Sequence, residues 1–134
     1  MENKFNFNSQ VCTSKEQSER LLALGLKKET ADMVHYFSCS LAEDWTIVPL
    51  GKGEVARYIE SLEIPAWSLH RLIEMIQDVC PSVHLIFHRI DVRSNVKRIA
   101  YSFDVCDNLY DNIIDCIEWL IKEGYFNKEY LCEK

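Results

Sequence analysis

The chain has 134 residues, 48% of them hydrophobic and 27% charged, an ordinary globular mix and long enough to bury a core without a metal or disulfide. Fifteen Lys and Arg stand against 21 Asp and Glu, for a formal net charge of -6. Non-specific nucleic-acid affinity comes from counterion release on a basic face, so this balance argues against general nucleic-acid binding. No run of 18 apolar residues is present, so no transmembrane helix is expected. The start, MENKFNFNSQ, lacks an apolar signal region, which makes a cytoplasmic location the default expectation.

Residues 1–11 read as a loose arm or short edge strand, with Phe5 and Phe7 alternating. Thr13 to Glu16 fits a capping box, Thr13 as N-cap and Glu16 at N3. The helix that follows runs to about Leu24, with Gly25 placed to end it and Leu26 to close the hydrophobic cap. A second helix is expected over Glu29 to Phe37. The pair imitates a helix-turn-helix, but Thr30, Ala31, Asp32, Met33 and Val34 stand where base-reading Arg, Gln or Asn would be needed. Trp45 to Leu50 is a strand candidate. Gly51-Lys52-Gly53 lacks phosphate-loop spacing and reads as a turn. Glu54 to Leu62 is expected to be helical, and Ile64 to Ser68 to start a further helix with Leu69, Leu72, Ile73 and Ile76 as its buried stripe and Pro81 after its end.

Val83 to Val92 and Lys97 to Val105 read as a β-hairpin around Arg93-Ser94-Asn95-Val96. The preferred register pairs Ile86 with Phe103, His88 with Tyr101 and Ile90 with Ile99, and it sets Asp91 against Arg98. A three-residue loop would instead bring Leu85, Phe87 and Arg89 beside Val105, Phe103 and Tyr101, exchanging the faces. From Asp104 to Phe126 the chain reads as an amphipathic helix stopped by Gly124, with Leu109, Ile113, Ile117, Leu120 and Ile121 as its apolar stripe. The fold expected from these elements is a single small α+β domain over residues 1–134. Its central hairpin, 83–105, packs against the helices starting near Ser68 and Asp107.

No catalytic constellation is complete. The six cysteines (Cys12, Cys39, Cys80, Cys106, Cys116, Cys132) contain no C-x-x-C, so free, largely buried thiols are expected. His84 and His88 have zinc-ligand spacing only on a helix; on a strand they lie about 13 Å apart, at roughly 3.3 Å per residue. Cys80 near His84 has no supporting nucleophile motif. Asp107, Asp111, Asp115 and Glu118 read as a solvated helix face. The expectation is a protein that is not an enzyme, with no metal and no cofactor.

What remains is a binding surface. Trp67 begins a helix bearing His70 and Arg71, while the hairpin supplies Arg89, Arg93, Arg98 and Tyr101. An aromatic with several arginines is suited to a nucleotide, combining stacking with phosphate pairing; the plainer reading makes Trp67 a hydrophobic staple and the arginines solvated. Trp119, off the main helical stripe, with Trp45 and Tyr125, suggests a homo-oligomer.

The segments TSKEQSERLLALGLKKETADM (13–33), IPAWSLHRLIEMI (64–76) and DVCDNLYDNIIDCIEWLIKEGYF (104–126) resemble a family of small uncharacterised proteins from gut bacteria and their phages. The likeness covers nearly half the chain, and 44–63 departs from it as an insertion. The resemblance transfers no activity. It implies a mobile-element context, in which small proteins counter host defences by sequestering a nucleotide-derived signal or blocking a host protein. The leading expectation is therefore a binding protein for a small anionic nucleotide-derived ligand. The alternatives are a protein inhibitor using the acidic face Asp111–Glu118 and, last, a small hydrolase.

Overall fold

The computed structural model describes residues 10–38, 44–49 and 63–132. Helix α1 (Lys15–Ala23) opens on a capping box formed by Ser14 and Gln17, one residue later than the expected Thr13 and Glu16. Thr13 is not free to cap, because its hydroxyl bonds Ser18 Oγ at 2.7 Å and accepts the Trp67 backbone N–H at 3.1 Å. Gly25 ends the helix at φ +105. The Leu26 amide then reaches back to the Leu21 carbonyl at 3.2 Å, and Leu26 itself is buried, the glycine-ended cap that satisfies the last carbonyls of a helix.

The helix expected over Glu29 to Phe37 does not form. A short 3-10 turn at Lys28–Thr30 is followed by strand β1 (Met33–Ser38). The cause is tertiary: Thr30 Oγ1 accepts the Trp67 indole N–H at 2.9 Å, and both Asp32 carboxylate oxygens are taken by Ser68, from its N–H at 2.8 Å and its hydroxyl at 2.5 Å. The run Met33-Val34-His35-Tyr36 then pairs on both sides and Phe37 on one, as these β-branched and aromatic residues suit. Strands β2 (Asp44–Pro49) and β3 (Glu63–Ala66) flank it antiparallel in the order β2-β1-β3. Residues 64–66, expected to begin a helix, are thus an edge strand, the one sheet position where the missing N–H of Pro65 costs nothing. The arm at 1–9, Cys39, the Gly51–Gly53 turn and the Glu54–Leu62 helix lie outside the described residues.

Helix α2 (Leu69–Gln77) begins at Ser68, whose hydroxyl accepts the Arg71 amide, and buries Leu72, Met75 and Ile76. The expected single hairpin is a three-stranded antiparallel meander: β4 (Ser82–Ile86), β5 (Arg89–Ser94) and β6 (Ile99–Phe103), in the order β4-β5-β6. A two-residue turn, Phe87-His88, divides the first expected strand. Ile90 lies opposite Phe103 rather than Ile99, and Asp91 opposite Ser102 rather than Arg98. The displacement is an even number of residues, so Ile90, Ile99 and Phe103 still share the inward face. The expected Asp91–Arg98 pairing is absent; Asp91 is held by Arg89 instead, at 3.1 Å.

Helix α3 (Leu109–Lys122) is capped by Asn108 and stopped at Gly124, φ +78. It packs on β5, β6, α1 and α2. Ile113, Ile117 and Leu120 are fully buried, joined by Ile114 and Cys116; each such aliphatic side chain contributes about 1.5–3 kcal/mol. The described chain is thus an α+β fold with two small antiparallel sheets and a core centred on α3.

One polar side chain sits at the centre of that packing. Asn112, fully buried, donates to the His88 carbonyl at 2.6 Å and the Cys106 carbonyl at 2.9 Å, and accepts the Cys106 amide at 2.9 Å. It ties the Phe87-His88 turn to the loop before α3. Replacing Asn112 with Ala leaves these buried groups without partners, and each such group costs about 1–3 kcal/mol. Urea unfolding is expected to show a loss of about 2–4 kcal/mol; a loss below about 1 kcal/mol would contradict this role.

Candidate functional site

The expected ligand-binding residues do not form one pocket. Trp67 is 0% exposed, and its indole N–H is spent on Thr30, so it offers no face to a ligand. It is a core residue because the segments of Thr13 and Thr30 close around it. Arg71 is likewise structural: its Nε donates to the Thr30 carbonyl at 2.7 Å, Nη1 reaches Glu74 at 3.3 Å, and the guanidinium lies 5.5 Å over the Tyr130 ring. His70 is exposed on α2, 3.7 Å from Glu74. Tyr101 points to the opposite sheet face from Arg93, its ring 4.5 Å from Trp119. Phe103 and Tyr125 extend the same aromatic group, so Trp119 and Tyr125, read as interface residues, are engaged within the chain.

The meander keeps part of the set. Arg89 and Arg93 alternate with Ile90 and Val92, so they stand on the outer face of β5 while the aliphatics face α3. Arg89 is neutralised by Asp91. Arg93 and Arg98 form no ion pair among the described residues, unlike Arg20, Arg71 and Arg89. Arg98 occupies the β5–β6 turn, next to the exposed Lys97. In a chain of net charge -6, this is a local concentration of uncompensated positive charge.

It adjoins a concavity. Pro81, Ser82, Arg93, Ser94, Asn95 and Val96 line a hollow of about 380 Å³, within the range of small-ligand sites. Its polar groups are a guanidinium, two hydroxyls and a carboxamide; Pro81 and Val96, the latter 92% exposed, give it an apolar rim. Of its six residues only Arg93 was among the expected site residues. Pro81 read as a helix terminator and Ser94-Asn95-Val96 as turn residues, and nothing in their local pattern marks a cavity.

At the other end of the meander, Phe87 is 93% exposed and holds φ +56. A bulky residue in that region costs about 1–3 kcal/mol, and the Phe87 ring is not buried against any described residue. Leu85, Ile86 and Val105 are exposed as well. A second, more open hollow of about 430 Å³ lies between Phe87 and the start of α3.

The acidic side of α3 is not the free face expected. Arg20 of α1 contacts Asp115 at 2.6 Å and Glu118 at 3.3 Å, and Gln17 donates to Asp111 at 2.8 Å. These carboxylates fasten α1 to α3. Of the described thiols, Cys12, Cys80 and Cys116 are buried and free, and burial raises all three thiol pKa values. His84 stands on β4, 3.2 Å from Ser82, and His88 is in the turn. Among the described residues no group of three or more His, Cys, Asp or Glu is placed to hold a metal ion, and no helix is long and apolar enough to cross a membrane.

No protein-family model, curated protein or solved structure matches the chain.

The buried thiols give a pH signature. The Cys12 thiol is pushed from 9.0 to about 11, first by desolvation and then by Asp32. A folded pKa above the unfolded one means stability that is complete below pH 9 and lost as pH rises through about 11. Chemical unfolding across that window is expected to show a progressive fall. In the native protein at neutral pH a thiol reagent should modify exposed Cys132 well before Cys12, Cys80 and Cys116; equal rates would contradict the packing.

Proposed function

We propose that this protein is a non-enzymatic binding protein that holds a small phosphorylated, nucleotide-derived molecule in the hollow at the Arg93 end of the meander. The observation that carries the reading is that Arg93 lines this concavity and Arg98 stands in the adjoining β5–β6 turn, both without a carboxylate partner among the described residues of an acidic chain. A guanidinium presents a planar fork of donors that matches phosphate oxygens, and such charge-assisted bonds contribute about 1.5–3 kcal/mol each. Ser82 and Asn95 add neutral donors and acceptors suited to ribose or base edges. The site is of small-molecule size, and the wider surface is acidic, which favours a compact anion over a polymer whose backbone would cross that surface. The resemblance to proteins of gut bacteria and their phages supports a counter-defence setting, in which sequestration without turnover suffices.

The test is calorimetry against cyclic di- and trinucleotides and cyclic ADP-ribose variants. One member of the panel is expected to bind at micromolar Kd or tighter. Arg93→Ala with Arg98→Ala should weaken it about 10- to 100-fold, the magnitude of one or two charged contacts, while Lys122→Ala, on α3 beside Glu118 and outside the lining of the hollow, should not. If no panel member binds, or the double variant binds as tightly as the parent, the reading fails.

A further inference from the structure

We infer that two copies of this chain join through the free edge of β4, and that each copy's Phe87 completes the hollow of the other. The inference rests on the ligand site proposed above and adds the residue that site lacks, an aromatic wall.

Strand β4 is an outer strand of its sheet and meets no described element on its far side. Its sequence, Ser82-Val83-His84-Leu85-Ile86, carries no Lys, Arg, Asp or Glu, and residues 84–86 are exposed. A neutral, apolar edge strand without the charges or prolines that block pairing is a template for another extended strand. The segment is self-complementary. Only one antiparallel register pairs all five residues with all five of a second copy: His84 opposite the partner's His84, Val83 opposite the partner's Leu85, and Ser82 opposite the partner's Ile86. No like charges then face one another along the seam.

Extending that register by one residue sets the partner's Phe87 opposite Pro81. Pro81 and Ser82 line the hollow, and neighbouring strands lie about 4.8 Å apart. The two-fold operation therefore brings the turn that bears the exposed Phe87 of one copy alongside Pro81 at the apolar rim of the other copy's hollow. This accounts for Phe87 as the folded monomer does not: it is 93% exposed at φ +56, a conformation glycine would hold without strain. In the dimer the ring gains cover and supplies the π-face on which a base stacks. The other edge, β6, is likewise free of charged residues, but its aromatics Tyr101 and Phe103 already pack with Trp119, whereas the Phe87 ring at the end of β4 is 93% exposed.

Sedimentation or light scattering of the full chain, without ligand, tests the association. Twice the monomer mass is expected at high micromolar concentration, with Ile86→Lys and Phe87→Gly each raising the dimer Kd at least tenfold. Phe87→Gly suits the turn and should melt no lower than the parent, so a loss of association is not a loss of fold. Arg93→Ala with Arg98→Ala should leave the dimer intact; a dimer retained without binding of any nucleotide would sink the ligand reading but not the interface. A parent that remains monomeric, or a dimer indifferent to Ile86→Lys, overturns the interface. Should a panel nucleotide bind, equal affinity in the parent and Phe87→Gly would overturn the role of the partner's ring in the site.

Discussion

The burial of Trp67 is the constraint on which the arrangement of the N-terminal half depends. Its backbone and the Thr13 backbone and hydroxyl are mutually bonded, at 2.9 Å from the Thr13 amide to the Trp67 carbonyl and 3.1 Å in return. Its indole N–H is fixed by Thr30. One residue along, Ser68 grips Asp32 and caps α2. Three segments distant in sequence thus meet at two consecutive residues. An indole N–H buried without a partner would cost about 1–3 kcal/mol, so the position of Thr30 is coupled to that of the ring. Once Thr30 and Asp32 are committed, the chain beyond them leaves as a strand, and β1 follows.

The C-terminal half has a different organising element. Helix α3 offers an unusually broad apolar face, and the meander lies across it with Ile90, Val92 and Ile99 inward. Asn112 is the polar exception, and it fixes which turn of the meander meets which loop. The two halves are joined by the ion pairs of Arg20 with Asp115 and Glu118 and by the packing of α1 on α3. The partly exposed ion pairs contribute modestly to stability; their larger consequence is to engage Asp115 and Glu118, so that this side of α3 is not a free acidic face.

Much of this fold was legible in the sequence, for local reasons. Gly25 and Gly124 end helices because the left-handed conformation there suits glycine, and the α3 stripe follows from helical spacing alone. The misreadings were tertiary. Thr13 looks like an N-cap until Trp67 engages it, and residues 29–37 have adequate helical periodicity until Thr30 and Asp32 are engaged. The Phe87-His88 turn carries no Gly, Asn, Asp or Pro, so turn chemistry could not announce it; without it, one strand was read where there are two, and the register moved. The facing of Ile90, Ile99 and Phe103 survived because an even displacement preserves alternation. The candidate site fared worse. Arg93 and Arg98 could be named from composition, but the hollow is made by Pro81 and Ser82 coming alongside Ser94 and Asn95, a juxtaposition visible only after the meander forms. Trp67 has the chemistry of a stacking platform, but the core uses it instead.

The Trp67-centred scaffold and the proposed binding end at the Arg93 hollow involve different residues, and amide and indole NMR signals report on both at once. Titrating the labelled protein with the cyclic nucleotide panel should move the amides of Ser82, Arg93, Asn95 and Lys97 while the Trp67 indole signal stays fixed and exchanges slowly with solvent. A ligand that shifts the Trp67 indole and leaves the meander amides in place would contradict the account.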